Sequence, residues 1–104
     1  LIISGGFNVY PKEVESEIDA LPGVVESAVV GVPHPDFGEG VTAVVVAEKG
    51  ATLDEAQVIH ALEERLAKFK LPKRVFFVPD LPRNTMGKVQ KNLLRDQHKD
   101  LFKR

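Results

Sequence analysis

The segment Leu81-Pro82-Arg83-Asn84-Thr85-Met86-Gly87-Lys88 presents one lysine directly after a glycine. Pro82 fixes its own φ and biases Leu81 away from helix. Asn84 favours a turn, and Gly87 permits backbone angles and a close approach that a side chain would forbid. Lys88 is thereby a long cation on a shaped loop, able to neutralise a phosphate or carboxylate as negative charge builds up. Taken alone, a Gly-Lys pair reads more plainly as solvated surface. A second glycine loop changes the balance: Ser4-Gly5-Gly6-Phe7-Asn8-Val9-Tyr10-Pro11 follows the apolar run Leu1-Ile2-Ile3 and precedes Lys12-Glu13-Val14-Glu15. It reads as strand, glycine loop and helix start. Its plainer reading is a tight turn before a helix.

The elements that must hold these loops follow from periodicity and punctuation. A first helix is predicted from Pro11 to about Ala20, with proline at a first helical position, Glu13 in the first turn, and Val14, Ile18 and Leu21 as a buried stripe. Pro22-Gly23 ends it. The β-branched runs Val24 to Val32 and Val41 to Ala47 predict two strands, joined by a structured loop from Pro33 to Gly40. Thr52 with Glu55 makes a capping-box pattern for a second helix, whose apolar face is Val58, Ile59, Leu62, Leu66 and Phe69 and whose end is set by Pro72. Arg74 to Val78 predicts a third main strand, and Lys91 to Leu101 a short last helix with Leu94 and Leu101 on one face. The result is an α+β domain, a small mixed or antiparallel sheet flanked by helices.

Composition narrows the chemistry. With 104 residues the chain is one small domain able to bury a core. Fourteen basic residues nearly balance fifteen acidic ones, so no overall field draws nucleic acid or an anionic membrane. The absence of cysteine excludes disulfides, thiolate metal sites and cysteine nucleophiles, and three scattered histidines lack zinc-ligand spacing. No metal site is therefore predicted. There is no apolar run of membrane length, and a cytoplasmic location is the expectation.

Three motifs, in this order and spacing, resemble the C-terminal domain of acyl-CoA synthetases: Ile3 to Glu15, Gly31-Val32-Pro33-His34-Pro35 with Gly38-Glu39, and Pro82-Arg83 through Gly87-Lys88. These are adenylate-forming, AMP-binding enzymes, a superfamily that includes luciferases and peptide-synthetase adenylation domains. The resemblance covers residues 1–104 and implies an excised lid domain, cut at the interdomain hinge from a large N-terminal domain that would be its partner. It implies an acid-thiol ligase: a small carboxylic acid attacks MgATP to give an acyl-adenylate and pyrophosphate, and the CoA thiol then displaces AMP. Under it Lys88 is the catalytic residue of the first step, and Gly5, Gly6, Phe7 and Asn8 line the channel for the CoA pantetheine arm in the second. ATP, CoA and Mg2+ are implied, bound mainly by the N-terminal domain. A lysine acetyltransferase and a deacetylase acting on Lys88 are implied as regulatory partners. The Lys88 loop and the Gly-Gly-Phe-Asn-Val-Tyr-Pro-Lys-Glu-Val-Glu segment look most like malonyl-CoA synthetases, and Asn84 and Met86 stand where many relatives carry threonine or serine. Two alternatives stay open: the lid of a peptide-synthetase adenylation module or carrier-protein ligase, and a non-catalytic interaction module with this fold.

Other residues have competing readings. The basic set Arg65, Lys68, Lys70, Lys73 and Arg74 either complements a helix dipole or meets the CoA phosphates. His34 in its proline turn is assigned no chemistry, and Phe76-Phe77 is expected to send at least one ring into the core. The tail from Arg95 to Arg104 is read as a solvated amphipathic face.

Overall fold

The computed structural model describes residues 1–103. Strands β1 (Ile2–Ser4) and β2 (Phe7–Val9) form a hairpin ahead of helix α1 (Pro11–Asp19). The long strands β3 (Val24–His34) and β4 (Gly38–Ala47) follow, then helix α2 (Glu55–Glu63), a single 3₁₀ turn at Lys68–Lys70, strand β5 (Arg74–Phe77) and helix α3 (Lys91–His98). Strand β4 is the centre of the sheet. It pairs antiparallel with β3 along the whole of its length, antiparallel with β1 at Ser4 and Gly38, and parallel with β5. The sheet is thus mixed, and the α+β expectation stands.

Alternate residues of β3 and β4 supply the two faces of the sheet, as the period of a strand requires. Val29, Val41, Ala43 and Val45 point to one side, where Val14 and Ile18 of α1 and Val58 and Leu62 of α2 cover them. Ala28, Val30, Val32, Val44 and Val46 point to the other, where Leu94 of α3 and Leu81 cover them. Because both faces are buried, the strands read as continuous apolar runs rather than as alternating ones.

Several boundaries differ from the sequence expectation for identifiable reasons. The first glycine loop opens no helix directly: it is the two-residue turn of the β1–β2 hairpin, with Gly5 and Gly6 both at positive φ (59° and 85°), as a type I′ turn needs. The Pro33–Gly40 loop is mostly strand, since Pro33 pairs with Glu39 and His34 with Gly38, leaving a three-residue turn. Helix α2 is capped by Asp54 and Gln57, not by Thr52 and Glu55: Asp54 Oδ1 accepts from the Gln57 amide at 2.8 Å and Gln57 Oε1 from the Asp54 amide at 3.0 Å. It also ends early. Glu63 and Glu64 bring two acids to the negative end of the helix dipole, and Phe69 leaves the predicted apolar face to stack on Phe7. Neither Phe76 nor Phe77 is fully buried: Phe76 stacks on His98 at 4.5 Å and Phe77 is exposed. Burial holds the His98 imidazole below its usual pKa. Helix α3 stops at His98, and Leu101 packs beside Phe102 in the turn beyond it.

Open strand edges invite pairing with other chains, and on β3 and β5 a glutamate takes up one edge amide each. Glu15 of α1 accepts the Val29 amide on the outer edge of β3 at 2.7 Å, and Lys91 of α3 reaches the same carboxylate at 2.7 Å, joining the helices on opposite faces around that edge. Glu55 of α2 accepts the Val75 amide on the outer edge of β5 at 2.7 Å and the Arg74 guanidinium at 2.9 Å. The Val75 amide, assisted by Arg74 and opposed by partial burial, holds the Glu55 carboxyl below its ordinary 4.5. A depressed carboxylate stabilises the fold fully above its unfolded pKa and loses that contribution as pH falls through the folded one. Glu55→Gln should therefore cost about 1 kcal/mol at pH 7, a charge-assisted bond discounted for exposure. That cost should shrink as pH drops below 4.5. Urea denaturation of both proteins at pH 7 and pH 3 checks this, and a gap that is constant with pH would contradict it.

Candidate functional site

The two loops singled out by sequence sit at opposite ends of β3. The lysine loop is anchored at the start of that strand, where the Arg83 guanidinium pairs with the Glu26 carboxylate. The glycine turn is anchored at the far end: the Gly5 amide donates to the Phe37 carbonyl at 2.9 Å, in the turn that follows His34. Eight residue steps of extended chain lead from Glu26 to His34, about 26 Å at the rise of a β-strand. In a domain whose longest dimension is 36 Å, this is most of its width.

The lysine loop is a short hairpin closed by backbone bonds from Gln90 to Pro82 at 2.8 Å and from Asn84 to Lys88 at 3.0 Å. Asn84 organises its interior. Its Oδ1 accepts the amides of Met86 at 2.9 Å and Lys88 at 3.0 Å, the kind of local bond that makes asparagine a turn residue. Gly87 takes φ 79°, a left-handed conformation that glycine adopts without penalty. Lys88 itself is exposed, and among the described residues its ammonium has no ion-pair partner. Met86, 89% exposed, projects beside it.

At the other end, the glycine turn, the β3–β4 turn and the 3₁₀ turn converge on a cleft of about 120 Å³ lined by Ser4, Gly5, Phe7, Phe37, Lys68, Phe69 and Lys73. Phe7 and Phe69 stack with centroids 4.6 Å apart, and Lys73 Nζ lies 3.9 Å above the Phe37 ring. His34, assigned no role from sequence, shapes this end: its Nδ1 accepts the amides of Asp36 at 3.0 Å and Phe37 at 3.3 Å, folding the turn that brings Phe37 to Gly5. A Cβ at Gly5 would meet Phe37 Cδ1 at 2.8 Å, so glycine is required there by contact as well as by φ. Gly6 faces open space, yet its φ of 85° means that any side chain would strain the turn. Asn8 lies on β2, exposed and paired with Ile3, outside the residues that line the cleft.

The basic set divides. Arg65 pairs with Glu17 at 3.4 Å, Lys70 with Glu13 at 3.0 Å and Arg74 with Glu55 at 2.9 Å. Lys68 and Lys73 have no carboxylate partner among the described residues, and they line the cleft. Of the set only Arg65, next to the C-cap Glu64, stands at the C-terminal end of α2, where the helix-dipole reading applies; the other four lie beyond it. The cleft therefore offers two cations, stacked rings and side-chain-free backbone, a combination suited to a phosphorylated ligand with a slim arm. The signal in the sequence was three phenylalanines, each within two residues of a turn, whose convergence only the fold reveals. No group of three or more His, Cys, Asp or Glu side chains among the described residues could hold a metal ion. These residues do not fit Mg2+. Nor is any described helix long and apolar enough to cross a membrane.

Several of the proteins this chain resembles are CoA ligases. The chain is 56% identical over 99 residues to an octahydroindenyl-propanoyl:CoA ligase of Rhodococcus jostii, covering 95% of this chain and 19% of that protein. It is 48% identical over 98 residues to a long-chain-fatty-acid CoA ligase of Mycobacterium tuberculosis, covering 94% of this chain and 19% of that one. It superposes on ATP-bound MatB from Rhodopseudomonas palustris with a TM-score of 0.97 and 76% identity, over 99% of this chain and 20% of MatB. The chain thus spans about a fifth of the length of the relatives it matches. The family model for the AMP-binding enzyme C-terminal domain matches residues 13–88, and this chain belongs to that family.

Proposed function

We propose that these residues are the C-terminal lid of an ATP-dependent acid:CoA ligase, working against a large N-terminal domain of the full-length protein, and that the acid is malonate. The observation that carries this reading is the separation of the two loops. A cation and a channel mouth on opposite ends of one rigid domain cannot occupy the same active site together. They can do so in turn if the domain rotates between half-reactions. The 76% identity to MatB, a malonyl-CoA synthetase, exceeds the 56% to the indenyl-propanoyl ligase and favours malonate.

In the first half-reaction a carboxylate oxygen of the acid attacks the α-phosphorus of ATP and the bond to the pyrophosphate oxygen breaks. Negative charge gathers on the α-phosphoryl oxygens, and the Lys88 ammonium, unpaired in the isolated domain, bridges them and the carboxylate. In the second, the CoA thiol gives up its proton to solvent, its sulfur attacks the acyl carbon and the bond to AMP breaks, AMP leaving with the electron pair. The Gly5-Gly6 turn admits the pantetheine arm past backbone alone, while Lys68 and Lys73 meet the CoA phosphates and the Phe7–Phe69 stack provides an apolar wall. Mg2+ accompanies ATP on the N-terminal domain. Acetylation of Lys88 would abolish its charge and silence the first half-reaction only.

Half-reaction assays on the full-length enzyme test this. Lys88→Ala should slow acyl-adenylate formation by ~10²-fold or more, the loss typical of a transition-state charge donor, and leave thioester formation from supplied acyl-adenylate nearly intact. A fully acetylated Lys88 should behave the same way. If either form adenylates at the normal rate, Lys88 has no catalytic role.

The cleft lysines give the complementary expectation. Lys68→Ala with Lys73→Ala removes two cations worth about 1 kcal/mol each, so the CoA KM should rise by at least roughly tenfold with adenylation unaffected. An unchanged CoA requirement would remove the cleft from the mechanism. These substitutions probe the cleft more cleanly than one at Gly6, where the backbone itself would be strained.

A further inference from the structure

We propose that Arg83 and Glu26 are a positioning pair that aims Lys88 by tying its peptide group to the edge of β3; the proposal rests on the adenylation role argued above for Lys88. The Gly87–Lys88 peptide is held from both ends. Its N–H donates to Asn84 Oδ1 at 3.0 Å, and its carbonyl accepts from Arg83 Nη1 at 2.8 Å. The next peptide plane is held as well, since the Lys88 carbonyl accepts the Asn84 amide at 3.0 Å, so the Lys88 φ and the direction in which its side chain leaves the backbone are fixed too. Without them Gly87, the most permissive residue of the loop, would let that plane swing.

The two restraints differ in what they fix. Asn84 belongs to the loop and would travel with it. Arg83 stands at the root of the hairpin, bridged to Val89, and its second nitrogen, Nη2, pairs with Glu26 on β3. Strand β3 is locked to β4 along its length, so Glu26 refers the loop to the rigid part of the domain. The task demands arginine. A guanidinium offers two separate nitrogens in one plane, one for the carbonyl and one for the carboxylate, whereas a lysine ammonium offers a single point. Both side chains are partly exposed, 37% for Arg83 and 28% for Glu26, so the pair adds little to stability for its own sake. Its value is geometric, because misplacing a catalytic group by 1 Å can cost a large factor in rate.

The test uses the full-length enzyme and measures the two half-reactions separately for Arg83→Gln, Arg83→Lys, Glu26→Ala, Lys88→Ala and the double variant Arg83→Gln with Lys88→Ala. Arg83→Gln should slow adenylation by ~10-fold, an intermediate share of what misplacement can cost. Arg83→Lys should recover little of it, and Glu26→Ala should lose a smaller factor of roughly threefold, since the Gly87 contact survives. Thioester formation from supplied acyl-adenylate should stay at the unmodified rate in all three, which also reports correct folding. In the double variant the Arg83 change should cost nothing further, because no ammonium remains to be aimed. Normal adenylation in Arg83→Gln overturns the proposal. So does an equal fall in both half-reactions, full recovery by Arg83→Lys, or a multiplicative loss on top of Lys88→Ala. If Lys88→Ala alone adenylates normally, the role of the lysine falls, a result distinct from failure of the positioning pair.

Discussion

The pairing of β3 with β4 sets the distance between the two loops, and most of what this domain can do follows from that distance. Antiparallel registration from Val24 with Ala47 to His34 with Gly38 makes a stiff ribbon, shielded on both faces by helices. A ribbon of that length cannot bend to bring its ends together. A single site could therefore meet the lysine loop and the glycine turn only one after the other, by movement of the whole body. A shorter hairpin or a flexible sheet would have allowed both loops into one site at once, and the division of labour would lose its basis.

Charge serves the scaffold as much as the chemistry. Glu15 and Glu55 each spend a carboxylate on an edge-strand amide, and each is joined by a cation, Lys91 or Arg74. Arg65 and Lys70 are neutralised by α1 acids in the same way. Lys68, Lys73 and Lys88 escape such pairing. Lys12, Lys49, Arg95 and Lys103 also lack an ion-pair partner among the described residues, so what sets Lys68, Lys73 and Lys88 apart is their place beside the two glycine loops.

The core and the helices were largely legible from sequence because their signals are local. Val14, Ile18 and Leu21 are buried as their spacing requires, and the β-branched runs are the long strands. Capping was misread by two residues because Asp54-Glu55-Ala56-Gln57 satisfies the same pattern as Thr52-Leu53-Asp54-Glu55, and nothing local separates them. The glycine turn was recognised but not as a hairpin, since three-residue strands carry too little periodicity to be seen. Contacts across the fold were invisible. Nothing in the spacing relates Phe7 to Phe69, Arg83 to Glu26 or Lys73 to Phe37, and these contacts give the glycine loop its cleft and anchor the lysine loop to β3.

A rigid body that presents its ends in turn must occupy two orientations. The direct measurement is the distance, by pulsed electron spin resonance, between a label on the exposed helix face at Gln97 and a label on the N-terminal domain of the full-length enzyme. It is made once with ATP and the acid, and once with a stable acyl-adenylate analogue and CoA. Two well-separated distances that exchange with the ligand set are expected. A single distance under both conditions would show that the domain does not turn, and the alternating use of Lys88 and the Gly5-Gly6 cleft would have to be given up.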